Sequence, residues 1–468
     1  MPFISVSFLI FFLILVSLYH LSARFAKNAV LLQNILLLAS SLVFYAFANL
    51  RFLPFLLYTI AISYAAVRFC KSKLSFAAFL VADLAPLLAL KYCPLILHTQ
   101  WIFPLGISFF TFQSVSFISD SYTKKIPTEQ NFLNVALFIS FFPVISSGPI
   151  QRAGNLIPQF RSIHHFDYDN ATDGMKLFAW GLFKKLCVAD RIAVYVNYVY
   201  GNAADKYGLA LILATALFSF QLYCDFSGYS DMAIGIARYL GFDVGKNFDH
   251  PYLSQSVGEF WRKWHISLSS CLRDYIYIPL GGSRVALPRI YLNLLATFLI
   301  SGIWHGSTLN FVIWGLLHGF YLCLERAMRP TLEKARIPAW IKIFVTFSLV
   351  SFAWIFFRAQ NLHEAGIIIG KIVRLPLNFI DFFVLKEDTG IKDAVKELTS
   401  FTIGNIKLMV LFLFSINVIE IITRKKPGLQ IIKELHPIIR WALYVLLLYC
   451  IMFCEKSNAN TEFLYFAF

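Results

Sequence analysis

Twelve apolar runs follow one another along almost the whole chain, and they constrain its fold more than any other feature. Each run approaches the length of about 20 residues that an α-helix needs to cross a bilayer, whereas a membrane β-barrel would show shorter segments of alternating polarity. Hydrophobic residues make up 58% of the 468 residues and charged residues only 14%, which excludes an ordinary soluble protein. We therefore predict an all-α polytopic membrane protein with about eleven to thirteen spans. The runs cover residues 3–19, 30–49, 52–67, 74–90, 102–119, 132–148, 208–224, 288–304, 308–326, 338–357, 403–422 and 438–454.

Basic residues are concentrated between the apolar runs. The net charge of +15 would suggest a nucleic-acid partner in a soluble protein. In a membrane protein it reflects the enrichment of Lys and Arg in cytoplasmic loops, so we expect a lipid bilayer and no nucleic acid as partner. If these clusters are cytoplasmic, the N-terminus and the C-terminal tail both lie on the outer side. The clusters are Arg24 with Lys27; Arg68, Lys71 and Lys73; Lys124 with Lys125; and Arg424, Lys425 and Lys426.

The chain contains no short motif of a common hydrolase, metalloprotease or nucleotide-binding enzyme. No GxSxG, HExxH or P-loop sequence occurs. The eight cysteines are scattered through apolar contexts without CxxC or zinc-type spacing. We therefore expect neither a metal site nor a permanently bound cofactor.

Two stretches in the middle of the chain, residues 149–200 and 245–287, are too polar to span a membrane cleanly and too aromatic for simple loops. Non-helical backbone at membrane depth needs cover from protein or a water-filled cavity. We therefore interpret both stretches as interfacial or re-entrant segments that line a cavity. Within the first of them, residues 175–198 favour a helix lying at the membrane interface. Its basic residues are Lys184, Lys185 and Arg191.

His305 lies at the junction of two long apolar runs, between Gly302 and Gly306. An ionisable side chain among membrane helices is costly, so it indicates a functional site. The glycines permit close approach of a substrate, and imidazole takes a proton from a hydroxyl near neutral pH. His305 is therefore a candidate general base. A structural histidine, bonded between helices or placed in a short outer loop, is the open alternative.

A second histidine, His265, directly follows the sequence Trp261-Arg262-Lys263-Trp264. Two histidines on different elements can converge on one reacting centre, so His265 is the second catalytic candidate. Basic residues around it are candidates to bind the phosphates of an anionic substrate, although a belt of aromatic and basic side chains at the headgroup level is the alternative. These basic residues are Arg262, Lys263, Arg273 and Arg284.

Asp225 and Asp231 lie deep in an apolar context, where carboxylates need partners. We expect them to pair with Arg or His of the middle stretches, in a structural or orienting role. Upstream, the sequence from Phe142-Pro143 to Gly148-Pro149 predicts a helix break.

The last six residues, Phe463-Leu464-Tyr465-Phe466-Ala467-Phe468, include four aromatic ones. Such a segment is poor material for a solvated tail and could be buried in a groove or tunnel, with the Tyr465 hydroxyl as its nucleophilic atom; the sequence alone favours the simpler role given next. An aromatic anchor at the membrane surface is the alternative interpretation.

These motifs together resemble the membrane-bound O-acyltransferase (MBOAT) family. The resemblance is carried by NFDHPY at 247–252, FWRKWHISLS at 260–269, LRDYIYIPLGG at 272–282 and GIWHG at 302–306. PLGISFFTFQ at 104–113, residues 142–149 and YCDFSGYSDMA at 223–233 support it. Within the family the chain is similar to the bacterial branch of alginate and peptidoglycan O-acetyltransferases and the D-alanyl transfer protein of teichoic acids.

The resemblance implies a single domain over residues 1–468, with a core at about 100–326 and a tail at 455–468. It implies a ring of transmembrane and re-entrant helices around a central funnel, in the bacterial cytoplasmic (inner) membrane. His305 matches the histidine at the centre of that funnel, His265 the second family histidine, and Tyr465 a tyrosine proposed to carry the acyl group. In the D-alanyl system the tyrosine motif lies on a separate small protein, so its presence here favours an acetylating enzyme.

The implied reaction is transfer of acetyl from cytoplasmic acetyl-CoA, across the membrane, to an extracytoplasmic polysaccharide of the peptidoglycan or alginate type. His305 would act as general base and Tyr465 as carrier, and a periplasmic serine-esterase-like acetyltransferase would be the partner. Three alternatives stay open: D-alanyl transfer to a teichoic acid-like polymer, direct transfer at His305 without Tyr465, and a protein that transports the acyl donor or docks the partner without chemistry. A transporter would be expected to carry paired discontinuous helices in matching halves, which we do not find in the sequence.

Overall fold

The computed structural model describes residues 1–97, 103–376, 403–455 and 463, and the regular structure within these ranges is helical throughout. Eight helices of this part are long and apolar enough to cross a membrane. The chain is therefore a polytopic membrane protein, as the apolar runs predict. The candidate spans are Val6–Phe25, Ala29–Ala48, Leu50–Phe69, Lys73–Pro94, Gly208–Tyr239, Leu287–His305, Ala339–Arg358 and Pro437–Cys454.

The α-helices are numbered here in chain order. The first ten are α1 (Val6–Phe25), α2 (Ala29–Ala48), α3 (Leu53–Phe69), α4 (Lys73–Leu97), α5 (Ile107–Tyr122), α6 (Phe132–Ser140), α7 (Ala153–Gln159), α8 (Tyr168–Leu182), α9 (Asp190–Gly201) and α10 (Gly208–Tyr239). The others are α11 (Val257–Lys263), α12 (Ile266–Leu272), α13 (Leu287–His305), α14 (Leu309–Lys334), α15 (Ala339–Arg358), α16 (Leu362–Val373), α17 (Ile403–Thr423), α18 (Gly428–Glu434) and α19 (Pro437–Glu455). Short 3₁₀ turns cover Leu50–Phe52 and Pro251–Leu253, and π-helical turns cover Phe183–Ala189 and Arg273–Tyr277.

The described part holds fewer candidate spans than the eleven to thirteen expected, because several apolar runs form shorter or more polar helices. The run at 132–148 gives only the nine residues of α6, since the backbone leaves the helical region at Phe141. This confirms the predicted break before Pro143. The run at 102–119 gives the sixteen residues of α5, and α14 turns polar where Glu325 and Arg326 begin a charged stretch.

The described contacts divide the chain into two compact units. The first comprises Met1–Gly181, Tyr229–Asn247 and His265–Pro279, and the second comprises Leu182–Gly228, Phe248–Trp264 and Leu280–Phe468. In the first unit α1 packs on α2, and α5 packs on α3, α4 and α6. In the second unit α14 packs on α13, α11 and α15. The single domain and the ring of helices around a funnel stay predictions.

The second polar middle stretch, residues 245–287, forms short, interrupted helices in place of a span. α11 and α12 have seven residues each, and the residue between them, His265, has a left-handed backbone with φ of 42°. Residues 175–198 are helical, as expected, and their position at the membrane interface stays a prediction. Lys184, Lys185 and Arg191 are all buried. Lys184 donates a hydrogen bond to Ser227, and Lys185 pairs with Asp225.

Candidate active site

His305 is positioned by a close crossing of α13 and α14 in the second unit. A Cβ added to Gly302 would collide with the carbonyl oxygen of Phe311, and one added to Gly315 would collide with the carbonyl oxygen of Phe298. The two helices therefore approach as closely as only glycine permits. α13 ends at His305, so this crossing sets the position of the imidazole relative to α14.

Aromatic rings surround the His305 imidazole. Its centroid lies 4.7 Å from that of Trp304, 4.8 Å from that of Trp314 and 5.4 Å from that of Phe357. The side chain is 7% exposed. His305 is therefore buried among aromatic rings at the last residue of α13.

A second buried histidine, His318, lies one ring farther along the same cluster. The Trp314 ring is 5.1 Å from the His318 ring, and Trp261 Nε1 donates a hydrogen bond of 3.2 Å to His318 Nδ1. Because indole nitrogen only donates, His318 Nδ1 is the acceptor and a neutral ring carries its proton on Nε2. The sequence analysis did not select His318 as a site residue. Its signal was the spacing Trp314-x₃-His318-Gly319, which places the two rings on one face of α14.

His265 lies in the first unit, in a network built on Asn247. His265 Nδ1 is 3.1 Å from Asn247 Oδ1, and Ser267 Oγ donates to the same oxygen at 2.9 Å. Asn247 Nδ2 in turn donates to Ser230 Oγ at 3.1 Å. Since the amide oxygen only accepts, this network assigns the His265 proton to Nδ1. Burial lowers the pKa of His265 to about 3, so its imidazole is neutral near pH 7.

The four predicted phosphate-binding residues differ in how they are held. In the second unit Lys263 Nζ pairs with Glu259 Oε1 at 2.6 Å, while Arg262 and Arg284 are exposed. In the first unit Arg273 Nε pairs with the neighbouring Asp274 at 2.8 Å. Burial opposes the charge of Glu259, yet the hydrogen bond from Lys263 holds the pKa of Glu259 below its ordinary value. Binding of phosphate by these four side chains stays a prediction.

The Asp225 carboxylate pairs with a lysine, contrary to the expected arginine or histidine. Lys185 Nζ is 2.7 Å from Asp225 Oδ1 and 2.9 Å from Asp190 Oδ1, and all three side chains are buried. Lys184 Nζ donates to Ser227 Oγ at 2.9 Å. The lysines come from the middle stretch, as expected, because its π-helical turn directs both of them towards α10.

Tyr465 lies outside the described residues, so its role as acyl carrier stays a prediction. Phe463, two residues before it, is described and is 4% exposed. The Phe463 ring centroid lies 4.3 Å from Lys185 Nζ. At this residue the chain is buried in the protein, in contrast to the membrane-surface anchor that the sequence alone favours.

Comparison with known proteins identifies the class of this helical membrane protein. Residues 75–363 match the MBOAT, membrane-bound O-acyltransferase family. A peptidoglycan O-acetyltransferase of Helicobacter pylori is 36% identical over 397 residues, which cover 74% of this chain and 75% of that protein. A probable alginate O-acetylase of Pseudomonas putida is 38% identical over 398 residues, 80% of each chain. The chain therefore belongs to the membrane-bound O-acyltransferase family, which confirms the resemblance seen in its motifs.

A relative of lower identity is named for transfer of a different acyl group, D-alanyl. A teichoic acid D-alanyltransferase of Bacillus subtilis is 27% identical over 322 residues, which cover 62% of this chain and 79% of that protein. Both O-acetylating relatives align with a larger share of this chain at higher identity.

Proposed function

We propose that this protein transfers acetyl groups from cytoplasmic acetyl-CoA to an extracytoplasmic polysaccharide of the peptidoglycan or alginate type. The names and the 36–38% identity of the O-acetylating relatives support the acetyl group and the polymer class. The terminal motif with Tyr465 supports the same branch of the family. The cytoplasmic (inner) membrane of a bacterium is the proposed location, since these relatives are bacterial.

His305 is the proposed general base of a transfer in two steps. In the first step the Tyr465 hydroxyl attacks the thioester carbonyl, its proton passes to His305, and the C–S bond breaks. The proton then reaches the leaving thiolate, which gives free CoA and an acetyl ester on Tyr465. In the second step a serine hydroxyl of a periplasmic acetyltransferase takes the acetyl group and restores Tyr465, and that partner then esterifies a sugar hydroxyl.

The observation that carries this proposal is the aromatic environment of His305 at the end of a membrane span. The burial of His305 among Trp304, Trp314 and Phe357 holds its imidazole at a fixed place, where it can take a proton from a hydroxyl. It also excludes water, which would otherwise hydrolyse the thioester or the acetyl ester. General-base assistance of this kind is worth about 10²–10⁴-fold in rate.

His265 is the second proposed catalytic histidine. Asn247 holds its Nδ1 proton, so Nε2 is the nitrogen suited to accept a proton or a hydrogen bond from the reacting groups. Arg262, Lys263, Arg273 and Arg284 are proposed to meet the phosphates of CoA. Guanidinium and ammonium groups bind phosphate by charge-assisted hydrogen bonds.

The purified protein in lipid nanodiscs, incubated with radiolabelled acetyl-CoA, tests the proposal. We expect release of CoA and covalent label on the C-terminal peptide of the native protein. Both should be lost in H305Q, and the covalent label should be lost in Y465F. CoA release without label in the native protein would contradict the tyrosine carrier and favour direct transfer at His305. If neither CoA release nor covalent label is seen with acetyl-CoA, but a D-alanyl thioester does serve as donor, the transferred group is D-alanyl and not acetyl.

A further inference from the structure

The C-terminal segment makes a described contact with a buried ion cluster in the second unit. The cluster consists of Lys185, Asp190 and Asp225, and the ring above it belongs to Phe463. We infer that Lys185 is the docking residue of the C-terminal tail, and that its contact with Phe463 positions Tyr465. The positioning role rests on the proposed function, whereas the docking itself does not.

The ion cluster fixes the position of the Lys185 ammonium group, to which the tail is inferred to bind. Lys185 is 1% exposed. The free-energy cost of burying its charge is offset by close pairing with the carboxylates of Asp190 and Asp225. Burial opposes the charge, yet the two carboxylates together raise the pKa of Lys185 above its ordinary value. The ammonium group is therefore charged and held at a fixed place.

The Phe463 ring is placed to recognise that charge. An ammonium group within about 6 Å of a ring centroid is attracted by the negative face of the ring, most strongly when both are desolvated. The separation here is 4.3 Å, and both side chains are buried. A purely apolar groove would accept leucine as readily as phenylalanine, so this contact adds a preference for an aromatic residue.

The same π-helical turn, Phe183–Ala189, also holds the helix that leads to the tail. Cys187 Sγ lies 3.4 Å from the carbonyl oxygen of Cys450 in α19. π-helical turns recur at functional sites, because the extra residue redirects side chains from the regular helical faces. One element therefore anchors both α19 and Phe463, and so restricts where the residues after Phe463 can reach.

Lys184 provides a matched control on the same turn. It is also buried, and its Nζ donates to Ser227 Oγ. Its ammonium group lies 5.7 Å from the ring centroid of Tyr223. Loss of Lys184 removes a buried cation from the same turn without removing the described contact with Phe463.

Carboxypeptidase trimming of the full-length protein in nanodiscs, followed by mass spectrometry, measures docking without reference to activity. We expect F463L and K185M to speed removal of the last four residues by about 10-fold. F463W and K184M should be trimmed at the native rate. If F463L is as protected as the native protein, the docking inference is wrong; because F463L keeps the ion cluster intact, this test holds even if K185M fails to fold.

Acetyl transfer to the tail, measured on the same variants, tests the positioning role. Label on Tyr465 should fall in F463L and return in F463W. A tail that is released in F463L while labelling stays at the native level would overturn the positioning role. A tail that is docked in the native protein but never labelled would leave docking established and contradict the proposed tyrosine carrier instead.

Discussion

The two candidate histidines occupy contrasting environments. His305 ends a long membrane helix and contacts the aromatic rings of Trp304, Trp314 and Phe357. His265 lies between two seven-residue helices, where Asn247 fixes its Nδ1 by a hydrogen bond. Ring packing leaves an imidazole in an apolar medium, whereas the amide network fixes both its tautomer and its direction. The proposed function accordingly gives proton transfer to His305 and orientation by hydrogen bonding to His265.

Removing the His305 imidazole should have the largest effect. We expect H305Q to lower acetyl transfer by about 10²–10⁴-fold, because the amide cannot act as a general base. The measurement is CoA release from acetyl-CoA by the purified protein in nanodiscs. His363, an exposed residue of α16, is the matched control, and H363Q should retain native activity. Equal loss in both variants would remove the special role of His305.

Replacing Asn247 should disrupt the hydrogen-bond network that holds His265. N247L removes the partner of buried polar groups of His265, Ser267 and Ser230, which costs about 1–3 kcal/mol. If the whole loss appears in the rate, transfer falls roughly 5- to 150-fold. N247D keeps an oxygen for His265 Nδ1 and should retain more activity than N247L. Similar rates for these two variants would show that the hydrogen bond to His265 does not matter for transfer.

A methyl group at the crossing of α13 and α14 should disturb His305 but not the network of His265. G302A places a Cβ against the carbonyl oxygen of Phe311, and such overpacking costs about 1–3 kcal/mol. We expect a lower thermal midpoint together with reduced transfer. Gly366 of α16 has open space around an added Cβ, so G366A should change neither. A G302A protein of native stability would contradict the tight crossing.

The smallest effect is expected at the hydrogen bond between Trp261 and His318. W261F keeps an aromatic ring beside Trp314 but removes the donor to His318 Nδ1, at a cost of about 1 kcal/mol in unfolding free energy. Thermal unfolding in nanodiscs measures this loss. A fall in transfer as large as that of H305Q, at unchanged stability, would instead place His318 among the groups that act directly on the substrate.

The apolar periodicity of the chain predicted its helical membrane architecture, and local signals predicted one break. Proline and glycine after Phe141 correctly indicated that the run at 132–148 is not one span. The count of spans was less predictable, because a run such as 308–326 forms a helix that continues into charged residues. Hydropathy reports the average polarity of a window, whereas a span also depends on where the helix begins and ends.

The candidate histidines were predicted from residue type. The contacts around the site were not predicted where the two partners are distant in the sequence. His305 and His265 stood out because imidazole is rare in apolar surroundings. The pairing of Lys185 with Asp225 and of Trp261 with His318 joins residues far apart in the chain, so no local pattern indicated either pair. The burial of Lys184 and Lys185 was not predicted for the same reason, since an isolated sequence window does not contain Ser227 or Asp225.

By itself the amino-acid order determined that this chain enters a membrane as helices, that it carries the family's histidine motifs, and that its end is aromatic. These properties are local, because each depends on neighbours within one or two turns of helix. The tertiary structure alone decided that rings enclose His305, that Asn247 sets the proton of His265, and that Lys185 meets Phe463. Those contacts arise only when helices distant in the chain pack together, which is where burial and charge pairing acquire their energies.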